Sequence, residues 1–422
     1  MIGKRIVFCT FGSLGDLHPF LALALEMKRR GHDPLIATSP MYREMIESAG
    51  VGFHAVRPKI DVSDPAILKR AMHRRTGMNY IMFELLMPSL RDSYHDTVAA
   101  AQGADLIVVH PITLGAYLLC RQLAQQEPGF PWCFTCLSPV SFFSLYDPAV
   151  ISALPFAGEL ARLGPGFQSG LKKILAFLLE ARWKAFRSLE KELGLTPARN
   201  PLIWPPSEAA LVLGLFSPQL GAPQHDWPAN AHATGFPFYD HTTDCPPAVR
   251  RFLDAGEPPI VFTLGSAAVG AAGDFFQQSA QAAQELGKRA ILLVGRDPYN
   301  QPASLPPEIL AVPYAPHAAV FPRGCVNVHQ GGIGTTGEAM RAGRPMLVVH
   351  YSHDQPDHAA RLVRMGLARA VAREKYSAAV AIREIGALLE DQSYVERAAA
   401  VGCQVSVENG VEKAGDLLCE LS

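Results

Sequence analysis

The sequence lacks both an excess of charge of one sign and a long hydrophobic run. Its 38 Lys and Arg residues balance 39 Asp and Glu residues. This balance argues against a nucleic-acid partner, because nucleic acids are bound by strongly basic surfaces. The longest apolar stretch, 106–120, is interrupted by His110 and Pro111 and is too short to span a bilayer. No signal-peptide core precedes the strand-like residues from Arg5 onward. We therefore expect a cytoplasmic protein without a transmembrane segment.

Cysteine is scarce, and its spacing does not indicate redox or metal chemistry. Of the 8 cysteines, only Cys133 and Cys136 form a CxxC pair. They lie in a strand-like segment that runs into Pro139, whereas a redox pair needs a helix N-terminus to lower the thiol pKa. No second CxxC completes a zinc site. We expect free thiols and no bound metal.

The GxGxxG fingerprint of dinucleotide enzymes is also missing. The first strand leads into GSLGD (12–16), and the second strand ends in Thr38 and Ser39, without an acid to bind an adenosine ribose. The turn does contain Asp16, whose carboxylate at the end of a strand could act as a general base. Two alternatives remain open: that Asp16 only caps the following helix, and that His18 is the base.

Strand-like and helical segments alternate along the chain, which predicts an α/β fold with doubly wound parallel sheets. The segment IVFCTFGS (6–13) is repeated in similar form as IVFTLGS (260–266), which indicates two Rossmann-like domains. We predict an N-terminal domain over 1–220, a linker over 221–247, a C-terminal domain over 248–405 and a final helix over 406–422. Within the first domain, 151–200 is predicted to be a helical insert.

The helical insert carries apolar residues at helical spacing with Lys and Arg between them. Such a helix usually covers a core. It could also form the wall of an apolar substrate pocket or make a weak peripheral contact with a membrane.

The segment HQGGIGTT (329–336) carries the strongest functional signal. A short strand precedes it and a helix follows, so its glycines present unpaired backbone N–H groups and the positive end of a helix dipole. This arrangement binds phosphate, and His329 can add a donor. Downstream, Asp354 and Gln355 follow another strand, where an acid and an amide can hold sugar hydroxyls. These patterns predict a site for a phosphate group with a sugar beside it.

With these residues, the chain resembles the inverting nucleotide-sugar glycosyltransferases, which are UDP-glycosyltransferase-like, have the GT-B fold and form family 1. The bacterial sterol, glycopeptide and rhamnolipid-type enzymes are the most similar members. The motifs that carry the resemblance are GSLGDLHPFLALA (12–24), FTLGS (262–266), YAPH (314–317), HQGGIGTTGEAMRAGRP (329–345) and SHDQPDHAARL (352–362). The resemblance implies two facing Rossmann-like domains with a cleft between them, the N-terminal domain (1–220) binding the acceptor and the C-terminal domain (248–405) binding the nucleotide sugar. It also implies that the helix over 406–422 packs back against the N-terminal domain.

The resemblance also implies roles for individual residues. Asp16 falls on the catalytic base. The diphosphate-binding positions are Ser266, His329, Gly331, Gly332, Gly334 and Thr335. The nucleoside-binding positions are Tyr314, Ala315 and His317. The positions that bind the donor sugar are Asp354 and Gln355. No cofactor is implied, because the nucleotide sugar is a co-substrate.

We therefore expect an inverting hexosyltransferase that moves a sugar to a hydroxyl of an apolar small molecule, such as a phenolic compound, sterol, macrolide or hydroxy-lipid. UDP-glucose is the first expected donor and dTDP-rhamnose the second. A diphosphate leaves readily, so one base and an anion-binding loop suffice and no metal is required. Two alternatives are a sugar-nucleotide epimerase and a non-catalytic nucleotide-sugar-binding protein.

Overall fold

The computed structural model describes residues 3–61, 64–151, 156–240 and 244–421, which form two α/β domains. The first domain is built on a parallel sheet whose strands, in chain order, are β1 (Arg5–Cys9), β2 (Asp33–Thr38), β3 (Gly52–Ala55), β4 (Leu106–Val109), β5 (Trp132–Cys136), β6 (Leu211–Gly214) and β7 (Ala231–Ala233). Their order across the sheet is β3-β2-β1-β4-β5-β6-β7.

The second domain is built on another parallel sheet. Its strands are β8 (Ile260–Thr263), β9 (Ala290–Leu293), β10 (Ile309–Val312), β11 (Val326–His329), β12 (Met346–His350) and β13 (Ala368–Ala372). Their order is β10-β9-β8-β11-β12-β13. The central strands β4, β5, β8 and β9 are buried along their whole length. This explains why they read as continuous apolar runs. The predicted doubly wound α/β class is confirmed.

Helices cover both sheets. Those in the first part of the chain are α1 (Leu14–Arg29), α2 (Arg43–Ser48), α3 (Pro65–Ala71), α4 (Gly77–Asn79), α5 (Leu90–Ala100), α6 (Leu114–Gln126), α7 (Ala157–Leu160), α8 (Pro165–Glu180) and α9 (Lys184–Glu192). A π-helix, Tyr80–Leu86, follows α4. The later helices are α10 (Pro247–Asp254), α11 (Gly265–Ala268), α12 (Phe275–Glu285), α13 (His317–Val320), α14 (Ile333–Arg341), α15 (Gln355–Arg364), α16 (Ala378–Glu390), α17 (Gln392–Ser406) and α18 (Gly410–Leu421).

The strand order places a ligand crevice in each domain. In the first sheet β1 lies between β2 and β4, and in the second β8 lies between β9 and β11. Winding therefore reverses at β1/β4 and at β8/β11, and open α/β sheets bind ligands beyond the carboxyl ends of such strands. Helix α1, which follows β1, contacts α11 and α14, which follow β8 and β11. The two crevices therefore face each other across the domain boundary.

The domain connection differs in part from the sequence prediction. Strand β7 lies inside the predicted linker 221–247, because Ala231–Ala233 pair with β6 at the edge of the first sheet. The first sheet therefore continues beyond residue 220, and that boundary of the prediction is wrong. At the other end of the chain α18 lies against α1, where Arg30 forms an ion pair with Asp416 at 2.7 Å.

The insert over 151–200 contains helices and no strand among the residues that the structure describes, but it is not one continuous helix. It breaks between α8 and α9. Helix α9 and the residue before it bury Trp183, Phe186 and Leu189, as a core-covering helix should. Along α8 only Gln168 is buried, so the predicted core-covering role fails there. Across the described ranges, no helix has the length and hydrophobicity needed to cross a membrane.

Candidate active site

Asp16 occupies the first turn of α1, directly beyond β1. Its Oδ2 accepts hydrogen bonds from the backbone N–H of Ser13 at 2.7 Å and from the Ser13 hydroxyl at 3.2 Å, completing a capping box. The other oxygen, Oδ1, lies 3.5 Å from Nε2 of His110, and the side chain is 31% exposed. Asp16 thus caps the helix with one oxygen and presents the other to the cleft. The two interpretations of Asp16 are compatible.

A glycine makes room for this carboxylate. Gly12 has φ 131°, and a Cβ placed on it would lie 2.3 Å from Oδ2 of Asp16. The Tyr42 hydroxyl donates to the Gly12 carbonyl at 2.9 Å and holds the turn in place. Any larger residue at position 12 would displace the carboxylate from its present position.

His110 is the partner of Asp16 that the sequence analysis missed. It is buried and follows β4, the neighbour of β1. Its Nδ1 accepts the Ile112 N–H at 3.4 Å, which leaves the proton on Nε2, facing Asp16. The sequence shows a histidine directly after an apolar strand, but only the pairing of β4 with β1 brings it to the crevice that holds Asp16.

His18, the alternative base, occupies a different part of the cleft. Its ring packs against the ring of Tyr239, with centroids 5.1 Å apart. It is also close enough to His317 for its charge to depress the pKa of that histidine. His18 therefore lies toward the predicted nucleoside-binding residues, and Asp16 is the side chain paired with His110.

The loop predicted to bind phosphate follows β11 and is shaped around the Gln330 side chain. A Cβ at Gly265 would lie 2.3 Å from Nε2 of Gln330, and one at Gly332 would lie 2.8 Å from it. That nitrogen is 3.3 Å from the hydroxyl of buried Thr335. The glycines thus let the loops after β8 and β11 close around one amide side chain.

The outer part of the loop is open. Gly334 is exposed, with no atom near the position of a Cβ, and Ser266 is exposed on the opposing loop. Gly331, by contrast, packs inward: its φ is +86°, and a Cβ would lie 2.8 Å from Val348. The backbone at Gly334 is therefore accessible to an anion, whereas Gly331 supports the turn.

His329 ends β11 and is completely buried. Burial lowers its pKa to about 3, so the ring is neutral at pH 7. Because Nδ1 accepts the Gly331 N–H at 3.1 Å, the proton is on Nε2, and this nitrogen has no hydrogen-bond partner in the described structure. A neutral N–H donor is thus held at the base of the loop.

The residues predicted to bind the sugar lie at the N-terminus of α15. Oε1 of Gln355 accepts the backbone N–H groups of Tyr351 at 2.9 Å and Ser352 at 3.3 Å, so this side chain braces its own loop. The carboxylate of Asp354 is partly exposed. Burial lowers the pKa of neighbouring His353, and the charges of Asp354 and Asp16 oppose that shift. The predicted base and the predicted sugar-binding acid therefore both lie near His353.

A second residue missed by the sequence analysis, His358, connects the two domains. Its Nδ1 donates to the Gly331 carbonyl at 2.7 Å, and its Nε2 lies 2.6 Å from the hydroxyl of Ser138 in the first domain. Asp354 is 3.7 Å from the same Nε2. His358 is completely buried. It therefore links the first domain to both the phosphate-binding loop and the sugar-binding acid.

The residues predicted to bind the nucleoside follow β10. Tyr314 is exposed, and partial burial together with the Glu338 carboxylate raises its pKa. Ala315 is buried beside it. The ring of His317 stacks on Phe321 with centroids 4.5 Å apart, and its burial lowers its pKa to about 4. Two aromatic rings, one exposed and one neutral and partly enclosed, thus border this part of the cleft.

A small crevice, with a volume of about 30 Å³, lies in the first domain at the carboxyl end of β1. Most of its wall is apolar, and it is lined by Phe11, Leu86, Leu90, Ile112 and Leu114, among others. Thr10, also in the wall, donates its hydroxyl to the backbone carbonyl of Asp16 at 3.0 Å. The crevice is therefore connected through Thr10 to the helix turn that carries Asp16.

Two facing doubly wound domains, with a carboxylate beyond one sheet and a glycine-rich loop beyond the other, form the architecture of the GT-B glycosyltransferases. Comparison with known proteins agrees. Residues 6–99 match the glycosyltransferase family 28 N-terminal domain. Residues 280–409 match the family described as erythromycin biosynthesis protein CIII-like, C-terminal domain. The O-mycaminosyltylonolide 6-deoxyallosyltransferase of Streptomyces fradiae is 31% identical over 99% of this chain and 97% of its own length. The chain belongs to the GT-B nucleotide-sugar glycosyltransferases, as its motifs predicted, and it is a hexosyltransferase.

Further relatives and structures support the same assignment. The sterol 3-beta-glucosyltransferase of Aspergillus terreus is 26% identical over 97% of this chain, which spans only 29% of that longer protein. Among solved structures, the kitacinnamycin glycosyltransferase superposes with a TM-score of 0.72, at 19% identity and over 99% of both chains. The glycosyltransferase SsfS6 of Streptomyces sp. SF2575, solved with thymidine diphosphate, gives a TM-score of 0.65 at 18% identity over 99% of both chains. These structures establish the fold.

Proposed function

We propose that this enzyme transfers a hexose from a UDP- or dTDP-linked donor to a hydroxyl of an apolar acceptor of the macrolide or sterol class. The names of the relatives favour such acceptors, since they include a tylonolide glycosyltransferase and sterol glucosyltransferases. The single observation that carries the mechanism is the Asp16–His110 pair, which lies at the cleft face opposite the loop that holds His329.

In the proposed reaction Asp16 is the general base. Its Oδ1 takes the proton of the acceptor hydroxyl, and the oxygen attacks the anomeric carbon as the bond to the diphosphate breaks. The nucleoside diphosphate leaves with the bonding electrons. Because the acceptor attacks opposite the leaving group, the anomeric centre is inverted. His110, with its proton on Nε2, orients Oδ1 toward the acceptor hydroxyl.

The departing diphosphate is stabilised by groups fixed before the reaction. These are Nε2–H of His329, the backbone N–H groups at the start of α14 and the hydroxyls of Ser266 and Thr335. Their positive partial charge can replace a metal ion, so we propose that transfer is metal-independent. Activity should then survive excess EDTA. Loss of activity with EDTA and its recovery with magnesium would contradict this part of the proposal.

The donor sugar and nucleoside occupy the second domain in this proposal. Asp354 and the free end of the Gln355 amide bind sugar hydroxyls. The nucleobase stacks against Tyr314, and His317 faces the ribose. UDP-glucose is the first donor to test and dTDP-rhamnose the second. The 6-deoxyallosyltransferase among the relatives makes a 6-deoxyhexose a realistic alternative to glucose.

The acceptor enters the cleft on the side of the first domain in this proposal, where its hydroxyl can reach Asp16. The nearby crevice wall of Phe11, Leu86, Leu90 and Ile112 is apolar, and contact with such a surface favours an apolar acceptor.

A donor-by-acceptor matrix read by mass spectrometry tests the proposal. UDP-glucose, dTDP-glucose and dTDP-rhamnose would each be incubated with a macrolide aglycone, a sterol, a flavonoid or no acceptor. We expect a glycoside whose mass equals that of the acceptor plus the sugar minus water, and an α-linked UDP-glucose should give a β-glucoside. Sugar isomerisation without an acceptor would indicate an epimerase instead.

A further inference from the structure

Helix α8 has an apolar face that no part of the described structure covers. Four large side chains on one side of the helix are solvent-exposed: Phe167 by 45%, Ile174 by 58%, Phe177 by 79% and Leu178 by 60%. Their spacing of seven, three and one residues keeps them on a single stripe of the helix. Leu163, just before α8, is 44% exposed. Monomeric proteins rarely expose a continuous patch of this kind unless it makes contacts.

The other side of α8 is fixed to the first domain. Lys172 donates to the Phe143 carbonyl at 2.9 Å, and desolvation lowers its pKa to about 8. Beyond the end of the helix, the Arg182 guanidinium lies 4.0 Å above the ring of Phe83 in the π-helix. The stripe therefore faces outward because the opposite side of the helix is anchored, not because α8 is detached.

The segment that carries the stripe is rich in positive charge. Residues 156–187 contain six Lys and Arg against two Glu, in a chain whose net charge is −1. Three of the six are engaged elsewhere: Lys172 on the anchored side, Arg182 over Phe83 and Arg187 with Glu180. Arg162, Lys173 and Lys184 are exposed and form no ion pair with any residue that the structure describes. Of the two acids, Glu180 is already paired with Arg187 at 2.6 Å.

We propose that the outer face of α8 docks on an anionic lipid surface, with the four apolar side chains inserted at the interface and the basic residues among the headgroups. An apolar stripe flanked by Lys and Arg is the pattern of an interfacial helix. A second copy of this chain fits less well, because a two-fold contact through this face would bring the same cations together.

The position of α8 relative to the apolar crevice would let the lipid contact assist delivery of the acceptor. The π-helix that holds Arg182 through Phe83 also contributes Leu86 to the crevice wall. An apolar acceptor dissolved in the lipid would thus enter close to where the enzyme is docked. This link to acceptor delivery rests on the proposed function, whereas the lipid contact does not.

Sedimentation of the full-length protein with vesicles tests the docking without using activity. Phosphatidylcholine vesicles would be compared with vesicles that also contain phosphatidylglycerol. We expect the protein to bind the anionic vesicles and to be released by salt. Phe177→Ser with Leu178→Ser should weaken binding by about tenfold or more. Lys173→Gln with Lys184→Gln should weaken it by roughly fivefold per lysine.

The matched control is Val407→Ser, which removes an apolar side chain that is 82% exposed but lies outside α8, near the C-terminus. It should bind vesicles like the wild type, and circular dichroism should show that all variants remain folded. Equal binding by the wild type and the Phe177→Ser, Leu178→Ser variant would overturn the proposal. So would a wild-type dimer, detected by light scattering without lipid, that this variant abolishes, because the face would then bind a second copy.

Discussion

Replacing the base while keeping its shape is the most informative single change. Asp16→Asn preserves the size of the side chain and an oxygen that can accept the Ser13 N–H, which now lies 2.7 Å from Oδ2. The helix cap should therefore survive. The variant loses the negative charge that Oδ1 presents to the cleft. Loss of a general base typically reduces the rate by about 10²–10⁴-fold, or roughly 3–5 kcal/mol of activation free energy.

The assay for Asp16→Asn is the steady-state rate of nucleoside diphosphate release, with donor affinity measured separately by calorimetry. We expect kcat to fall by that factor and the donor Kd to stay within a few-fold, because Asp16 lies on the first domain. Ser13→Ala is the matched control. It removes the cap hydroxyl, should cost about 1 kcal/mol of stability and should leave kcat within a few-fold. Near-normal turnover by Asp16→Asn would refute the assignment, and a large loss in His18→Ala would then identify His18 as the base.

Three further predictions concern the donor side. His329→Ala should weaken nucleoside diphosphate binding by roughly tenfold or more, as expected for one lost hydrogen bond to a charged group, and should slow transfer as well; an effect on acceptor KM alone would contradict this. Ser138→Ala and His358→Ala should each raise donor KM, and in a double-mutant cycle their effects should be coupled by about 0.5–3 kcal/mol; additive effects would show that the interdomain contact does not position the loop. Because the pKa of His329 is lowered to about 3, the unfolded chain binds a proton below about pH 6.5 that the native protein does not. As the pH falls from about 6 to about 4, this residue should therefore lower the free energy of unfolding by about 1.4 kcal/mol per pH unit. Urea titrations should find a smaller pH dependence in His329→Asn.

Much of the architecture could be read from local sequence patterns. The repeated strand-to-turn phrase at β1 and β8 indicated two similar domains because both strands are the central, buried strands of their sheets. The glycine-rich segment after β11 correctly indicated a strand, a tight turn and a helix, and the structure shows two glycines, 265 and 332, packed closely against Gln330. Phosphate binding by this loop stays a prediction. These features depend on neighbours in the chain or on a shared strand edge.

Contacts between distant segments could not be predicted in the same way. His110 meets Asp16 only because β4 pairs with β1, and Ser138 meets His358 only because the domains face each other. The edge strand β7 was hidden in a segment rich in Pro and Gly, where only pairing with β6 makes it a strand. In α8, periodicity showed an amphipathic helix but not that its apolar side faces outward.

The central claim is that a sugar is transferred to an acceptor by this cleft, and acceptor-dependent release of nucleoside diphosphate tests it most directly. The wild-type enzyme would be incubated with UDP-glucose or dTDP-rhamnose, with and without a macrolide or sterol acceptor. We predict that release and glycoside formation occur together, in equal amounts, and only when an acceptor is present. Release at the same rate without an acceptor, or no release with any donor and acceptor pair, would contradict the proposed function.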